Sequence, residues 1–227
     1  MLSTLTTGLT LLALTGASPV PQAPQQISRA KAYTLQIQLY DPSKPDLDPP
    51  VAGKYLGTVH TGAGLNIAVA TDYANTDPNY KFPPYYTNGT DGYSSVQNDL
   101  GTQYPWGVQV QSPTETDYTY PKEHDVTVNV GGGTNGVGIQ AWGDDLFLGG
   151  VGAGAYAVCN RFIGYTRSNL TAVRFVYDGE EVPEGCVLIR FVPLCAELND
   201  LPEGSQWTHD FVQEVNCVVP GASKKLF

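Results

Sequence analysis

Charge is scarce in this sequence: Asp, Glu, Lys and Arg make up 15% of its 227 residues, against about a quarter in typical soluble domains. The basic sign is the scarcer, with 12 Lys and Arg against 22 Asp and Glu, for a net charge of −10. Such a surface repels phosphate backbones, so nucleic acid is excluded as a partner and anionic membranes are disfavoured. Its plainest role is solubility. Long apolar runs are lacking too; the stretch from Leu9 to Leu14 is far too short to span a bilayer. Beyond that N-terminal stretch, no segment sustains a 3.6-residue period over three turns, which argues against a helical fold. Catalytic and metal signatures are also missing. There is no G-x-S-x-G elbow, no H-E-x-x-H, and no cysteine pair at zinc-knuckle spacing. No metal or cofactor is therefore expected. A Ser-His-Asp triad assembled from distant positions stays open, because triads are defined in space.

Strand signals are dense. Tyr33, Leu35, Ile37 and Leu39 alternate with Thr34, Gln36 and Gln38, and Val126, Val128 and Val130 alternate with Thr127 and Asn129. Further strands are expected at 54–60, 65–70, 106–111, 137–142, 145–149, 155–159, 172–177, 187–192 and 211–218, with one helical turn at Ala196 to Leu201. Many short strands punctuated by Gly, Pro and Asn indicate an all-β single domain, a β-sandwich, with a closed β-barrel or β-trefoil as the alternative.

The N-terminal apolar stretch ends in Thr15-Gly16-Ala17-Ser18, small residues that suit signal peptidase. The expected organisation is a signal peptide at 1–17, a disordered Pro- and Gln-rich leader at 18–31, the β domain at 32–220 and a flexible tail at 221–227. Cleavage makes the chain secreted and extracellular, with no remaining membrane segment. Four cysteines, Cys159, Cys186, Cys195 and Cys217, then read as two disulfides. Cys186 and Cys195 bracket one strand-like run with opposite parity, so they are the least favoured partners. The preferred connectivity is Cys159–Cys186 with Cys195–Cys217. Sequons at Asn88 and Asn169 sit in turn-like sequence and suit glycosylation.

Two segments echo each other. Tyr55-Leu56-Gly57-Thr58-Val59, Gly62-Ala63-Gly64 and Ala68-Val69 are matched by Phe147-Leu148-Gly149-Gly150-Val151, Gly152-Ala153-Gly154 and Ala157-Val158. The echo suggests two related halves, each contributing a sheet.

Candidate sites are few. Gly131 to Gly136 spells G-x-G-x-x-G after a predicted strand, but strand-like sequence follows where a dinucleotide site needs a helix, so it reads as a turn. A glycosidase needs two carboxylates facing each other across a sugar. Asp144 and Asp145 are adjacent and point apart; Glu123 and Asp125 share a face, as do Asp46 and Asp48; Asp178, Glu180 and Glu181 look like an exposed turn. None sits in an apolar setting that would raise its pKa, so no catalytic residue is assigned. His124 and His209 read as surface residues. His60 abuts the Thr61-Gly62-Ala63-Gly64 turn, whose glycines admit another group close to the backbone. The segment from Tyr73 to Tyr120 is crowded with aromatics, including Tyr73, Tyr80 and Phe82, among Pro, Asn, Asp and Gly, and reads as long loop. Within it Tyr85, Tyr86, Tyr104 and Trp106, together with His60, are the binding candidates, since sugars stack on flat rings. The competing reading has these rings capping the ends of the fold.

The run Tyr55-Leu56-Gly57-Thr58-Val59-His60-Thr61-Gly62-Ala63-Gly64-Leu65-Asn66 resembles a signature of a functionally uncharacterised family of small secreted proteins of filamentous ascomycete fungi. The signal segment, the Asn-Gly pair at Asn88, the Gly-rich stretch at Gly131 and the C-terminal cysteines are similar as well. The resemblance implies a fungal extracellular setting and supplies no catalytic residues. Three roles follow. The first is a non-enzymatic binder of cell-wall or host polysaccharide, or of a host surface. The others are a glycan-active hydrolase using paired carboxylates and a structural wall or surface protein.

Overall fold

Alternating burial sets the first long strand: Tyr33, Leu35 and Ile37 are fully buried while Thr34 and Gln36 between them are half-buried. The structure, a computed structural model, describes residues 26–72, 83–90, 92–115 and 117–221. The signal peptide, leader residues 18–25, Tyr73, Tyr80, Phe82 and the tail beyond Gly221 lie outside these. Among the described residues fourteen strands are formed: β1 (Ile27–Ala30), β2 (Ala32–Leu39), β3 (Tyr55–Gly62), β4 (Leu65–Thr71), β5 (Tyr85–Thr90), β6 (Tyr93–Asn98), β7 (Trp106–Val110), β8 (His124–Val130), β9 (Gly138–Trp142), β10 (Asp145–Gly149), β11 (Gly154–Ile163), β12 (Ser168–Tyr177), β13 (Cys186–Ala196) and β14 (Val215–Val218). No helix occurs among the described residues, and the all-β class holds.

Twelve strands form one sheet in the order β1-β14-β13-β11-β12-β4-β3-β2-β5-β6-β7-β8. Its longest ribbons are antiparallel: β2 with β13 from Leu39↔Ile189 to Ala32↔Ala196, and β11 with β12 from Gly154↔Tyr177 to Ile163↔Ser168. Shorter bridges link distant parts of that order, with Ile67 on β4 opposite Thr127 on β8 and Arg174 on β12 opposite Asp125 on β8. The sheet therefore folds over on itself. One core cluster takes Leu35 and Ile37, Val126 and Val128, Tyr156 and Val158, Val173 and Phe175, and Ile189 and Phe191. Each such side chain gains about 1.5–3 kcal/mol on burial. The remaining two strands, β9 and β10, make a separate hairpin.

Both preferred disulfides are formed. Cys159 and Cys186 lie directly opposite each other on β11 and β13, and Cys195 at the end of β13 is bonded to Cys217 on β14.

Four expectations need correction. The leader was read as disordered to Lys31, yet Ile27–Ala30 is strand, paired with Val215–Val218. The segment from Tyr73 to Tyr120 was read as mostly loop outside the strand expected at 106–111, which is β7, yet it also holds β5 and β6. In β6, Ser95, Gln97 and Asn98 are buried, and Asn98 donates to the Pro83 carbonyl at 2.6 Å. Inward polar residues satisfied by hydrogen bonds hide the apolar alternation of a strand. No helical turn forms at Ala196 to Leu201; β13 runs to Ala196 and irregular chain follows. The echo is not repeated in the pairing either. β3 and β4 form a hairpin through the first Gly-Ala-Gly, whereas β10 pairs with β9 and β11 with β12 and β13.

Candidate functional site

The β9–β10 hairpin turns through Gly143 and Asp144. Gly143 has φ +59°, which the first position of a type II′ turn requires and glycine meets without strain. Cross-strand pairing puts Trp142 opposite Asp145 and Gln140 opposite Phe147. Partners directly opposite share a face, so these four project together, while Leu146 and Leu148 on the other face are buried. This outward face forms one wall of a groove of about 650 Å³, within the range of small-ligand sites. The facing wall comes from Tyr40 after β2, from Arg190 on β13 and from the segment Gly149 to Ala155.

Glycine makes the floor possible. A Cβ on Gly150 would stand 2.3 Å from the Phe175 ring, and one on Gly154 would stand 2.4 Å from the Val176 carbonyl. Without side chains the backbone lies directly against the buried ring. Tyr156 fixes that ring by edge-on contact at 5.1 Å, and its hydroxyl donates to the Gly149 carbonyl at 3.3 Å.

The rim carries the chemistry. Trp142 is 81% exposed and Tyr40 48% exposed. The Arg190 guanidinium lies 4.5 Å from the Tyr40 ring centre and donates through Nη1 to Asp145 Oδ2 at 3.2 Å. An open indole plate, a second ring, an amide at Gln140, two carboxylates at Asp145 and Asp178, and backbone exposed by glycine thus surround one space.

A second cluster is polar but closed. Arg174 on β12 is fully buried; its Nε donates to Glu123 Oε2 at 2.9 Å and its Nη1 lies 2.6 Å from Asp125 Oδ1. The Asp125 contact is an ion pair without hydrogen-bond alignment. Arg161 donates through Nε to Glu123 Oε1 at 2.8 Å, and the Tyr120 ring covers this guanidinium at 5.0 Å. Burial pushes the Asp125 carboxyl up to about 6 against the pull of Arg174, with Asp117 and Glu123 adding to the rise. His124 was read as a surface residue; it is buried, with Nδ1 2.5 Å from the Glu115 carbonyl and Nε2 2.9 Å from Glu180 Oε1. The expectation that no carboxylate lies in a setting that raises its pKa also fails at Asp125. These charged groups pair with one another, and none of them lines the groove.

The sequence-derived binding residues do not assemble. Tyr85 and Tyr86 are buried, Tyr86 donating to Asp99 Oδ1 at 2.6 Å and accepting from Trp207 Nε1 at 3.1 Å. Trp106 is nearly buried and donates to Thr102 Oγ1 at 2.8 Å. Tyr104 is exposed without these neighbours beside it on the surface. His60 is exposed at the end of β3, edge-on to Tyr165 at 5.7 Å. His209, also read as a surface residue, is largely buried, 3.3 Å from Asp99 Oδ2. Among the described residues, no serine hydroxyl is hydrogen-bonded to a histidine ring. Of the sequons, Asn88 is half-buried and donates to Gln97 Oε1 at 3.2 Å, whereas Asn169 on β12 is exposed.

Residues 30–195 match the family described as Domain of unknown function (DUF7907). The chain belongs to this family. It is also 26% identical over 213 residues to a protein of Stachybotrys chartarum described as "Antigenic protein SchS34", an alignment covering 87% of this chain and 90% of that protein. No solved structure matches. These findings agree with the fungal family suggested by the Tyr55–Asn66 run. Every residue that lines the groove, from Tyr40 to Arg190, falls inside the DUF7907 region.

Sequence reasoning missed Trp142, Tyr40, Gln140 and Arg190. The available signal was Trp142-Gly143-Asp144-Asp145: a tryptophan beside a Gly-Asp turn stands at a hairpin tip, where it has no core to enter.

Proposed function

We propose that this DUF7907 protein is a secreted, non-catalytic glycan-binding protein, and that the groove beneath the β9–β10 hairpin holds the sugar. The observation that carries the reading is Trp142. A tryptophan 81% exposed at the mouth of a groove gives up a large apolar surface to water unless a ligand covers it. Sugar rings present a flat C–H face that stacks on indole, and their hydroxyls suit Gln140, Asp145 and the open backbone of Gly150 to Gly154.

Binding is favoured over hydrolysis by the state of the carboxylates. Asp145 is 65% exposed at its side chain and paired with Arg190, and Asp178 is exposed. Acid catalysis needs one carboxyl shielded from water. The shielded carboxyls, Glu123 and Asp125 beside Arg174 and Asp99 beside Tyr86, all lie outside the groove lining. Export is supported by the N-terminal sequence and by two disulfides, which persist in oxidising compartments. The relative's description as antigenic is compatible with that setting.

The test is co-sedimentation of the protein with insoluble polysaccharides, with released sugar measured in the same tubes. Retention without release, weakened by Trp142→Ala but not by Tyr104→Ala, is the expected result. Released sugar, or retention indifferent to Trp142, overturns the reading.

A further inference from the structure

We propose that the groove selects glycans bearing amino groups, such as polymers of glucosamine, over neutral and acidic ones; this rests on the glycan-binding reading above. The charges that line the groove favour such ligands. Its lining contains two carboxylates, Asp145 and Asp178, and a single cationic side chain, Arg190. That cation is already engaged on two sides. Its Nη1 donates to Asp145 Oδ2 at 3.2 Å and its guanidinium rests 4.5 Å from the Tyr40 ring centre. It therefore braces the wall and does not reach for an anion.

The carboxylates are less occupied. Asp145 gives Arg190 one oxygen, and Asp178 enters no ion pair among the described residues. Trp142 adds the negative face of an indole, which attracts an ammonium group. A uronate or sulfated sugar entering here would meet like charge without a free cation to receive it. An amino sugar would instead stack its ring on Trp142 and present its ammonium to Asp145 or Asp178. The net charge of −10 steers the same ligands toward the protein at low salt.

Four soluble oligosaccharides of equal length separate the claims: glucosamine, N-acetylglucosamine, glucose and galacturonate oligomers. Binding is followed by tryptophan fluorescence and calorimetry at low and high salt, at a pH where the glucosamine amines are charged. The expected result is that the glucosamine oligomer binds about tenfold or more tighter than its acetylated form at low salt. The advantage disappears in the Asp145→Asn, Asp178→Asn double variant and persists when Asp200 and Glu203, exposed residues outside the groove, are neutralised instead. Equal binding of glucosamine, acetylglucosamine and glucose oligomers, lost in Trp142→Ala, overturns amino-sugar selection and leaves the glycan reading standing. No binding by any of the four overturns both. Tightest binding of galacturonate overturns the charge argument. A glucosamine preference that falls equally with the Asp200 and Glu203 changes shows attraction to the general surface and removes the groove from it.

Discussion

Arg174 donates through Nε to Glu123 Oε2 at 2.9 Å from a position with no solvent exposure. Glu123 also receives Arg161, so one carboxylate joins two arginines from adjacent strands β11 and β12. Taking one partner out of a buried pair leaves the other charge desolvated and unmatched, at about 3–5 kcal/mol. Glu123→Ala is therefore expected to lower stability by that amount in urea unfolding. Arg161→Ala should cost less, because Glu123 keeps Arg174.

The same cluster sets a pH dependence. The Asp125 carboxyl is raised to about 6 from the ordinary 3.8, so the folded protein holds this proton more tightly than the unfolded chain does. Linkage then makes stability fall as pH rises between about 4 and 6, with the loss complete above 6. Glu180 acts with the opposite sign. Burial pushes its carboxyl up, but hydrogen bonds from His124 and the Tyr177 N–H hold it below its ordinary 4.5. Its contribution is present above 4.5 and is lost as pH falls below that value, outside the upper part of the Asp125 window. Thermal unfolding of the protein and of Asp125→Asn between pH 5 and 7 isolates the effect. The difference between their midpoints should change with pH in that range, and a constant difference would refute the assignment.

Glycine positions give a sharper contrast. A Cβ on Gly107 would stand 2.0 Å from the Gly133 backbone nitrogen, because β7 and the Gly131–Gly133 run pack backbone to backbone. Gly138 has open space and an ordinary φ. Gly107→Ala is expected to cost well over the 1–3 kcal/mol usual for overpacking, since backbone must move. Gly138→Ala should stay within about 0.5 kcal/mol. Chemical denaturation of the two variants side by side makes the comparison.

These elements show which features were legible in the sequence. Regular alternation in Tyr33 to Leu39 and in Val126 to Val130 marked β2 and β8, because apolar side chains on one face enter the core. The parity of Cys186 and Cys195 disfavoured the one pairing that a straight β13 cannot make. β6 was hidden by its buried Ser95, Gln97 and Asn98, and its partner β5 with it, although Asp91-Gly92 between Thr90 and Tyr93 is a hairpin signal. Aromatic density pointed to Tyr85, Tyr86 and Trp106 as a platform, but composition does not report which way a ring faces, and these rings face inward. The groove was illegible for a different reason. Tyr40 just after β2, Trp142 at the end of β9 and Arg190 within β13 are far apart in sequence, and only the docking of the β9–β10 hairpin beside β13 brings them together. Arg174 left a trace: a charge between Val173 and Phe175 inside an apolar strand needs buried partners, and Glu123 and Asp125 had the shared face to supply them.

The disulfide between Cys195 and Cys217 spans 22 residues, a stretch of irregular chain from Glu197 to Glu214 followed by β14. Closing a loop of that length in the unfolded chain is worth about 3 kcal/mol in the chain-entropy account. Contacts that tie this stretch to β5 and its neighbours include Trp207 to Tyr86, Gln213 to the Gly89 carbonyl, and His209 to Asp99. Cys195→Ala with Cys217→Ala should therefore lower global stability by about 3 kcal/mol. Protease should then cut first between Glu197 and Glu214, while the groove, which draws nothing from this segment, keeps its ligand affinity at temperatures well below unfolding. Loss of affinity in that double variant under fully folded conditions would show that the groove depends on this segment after all.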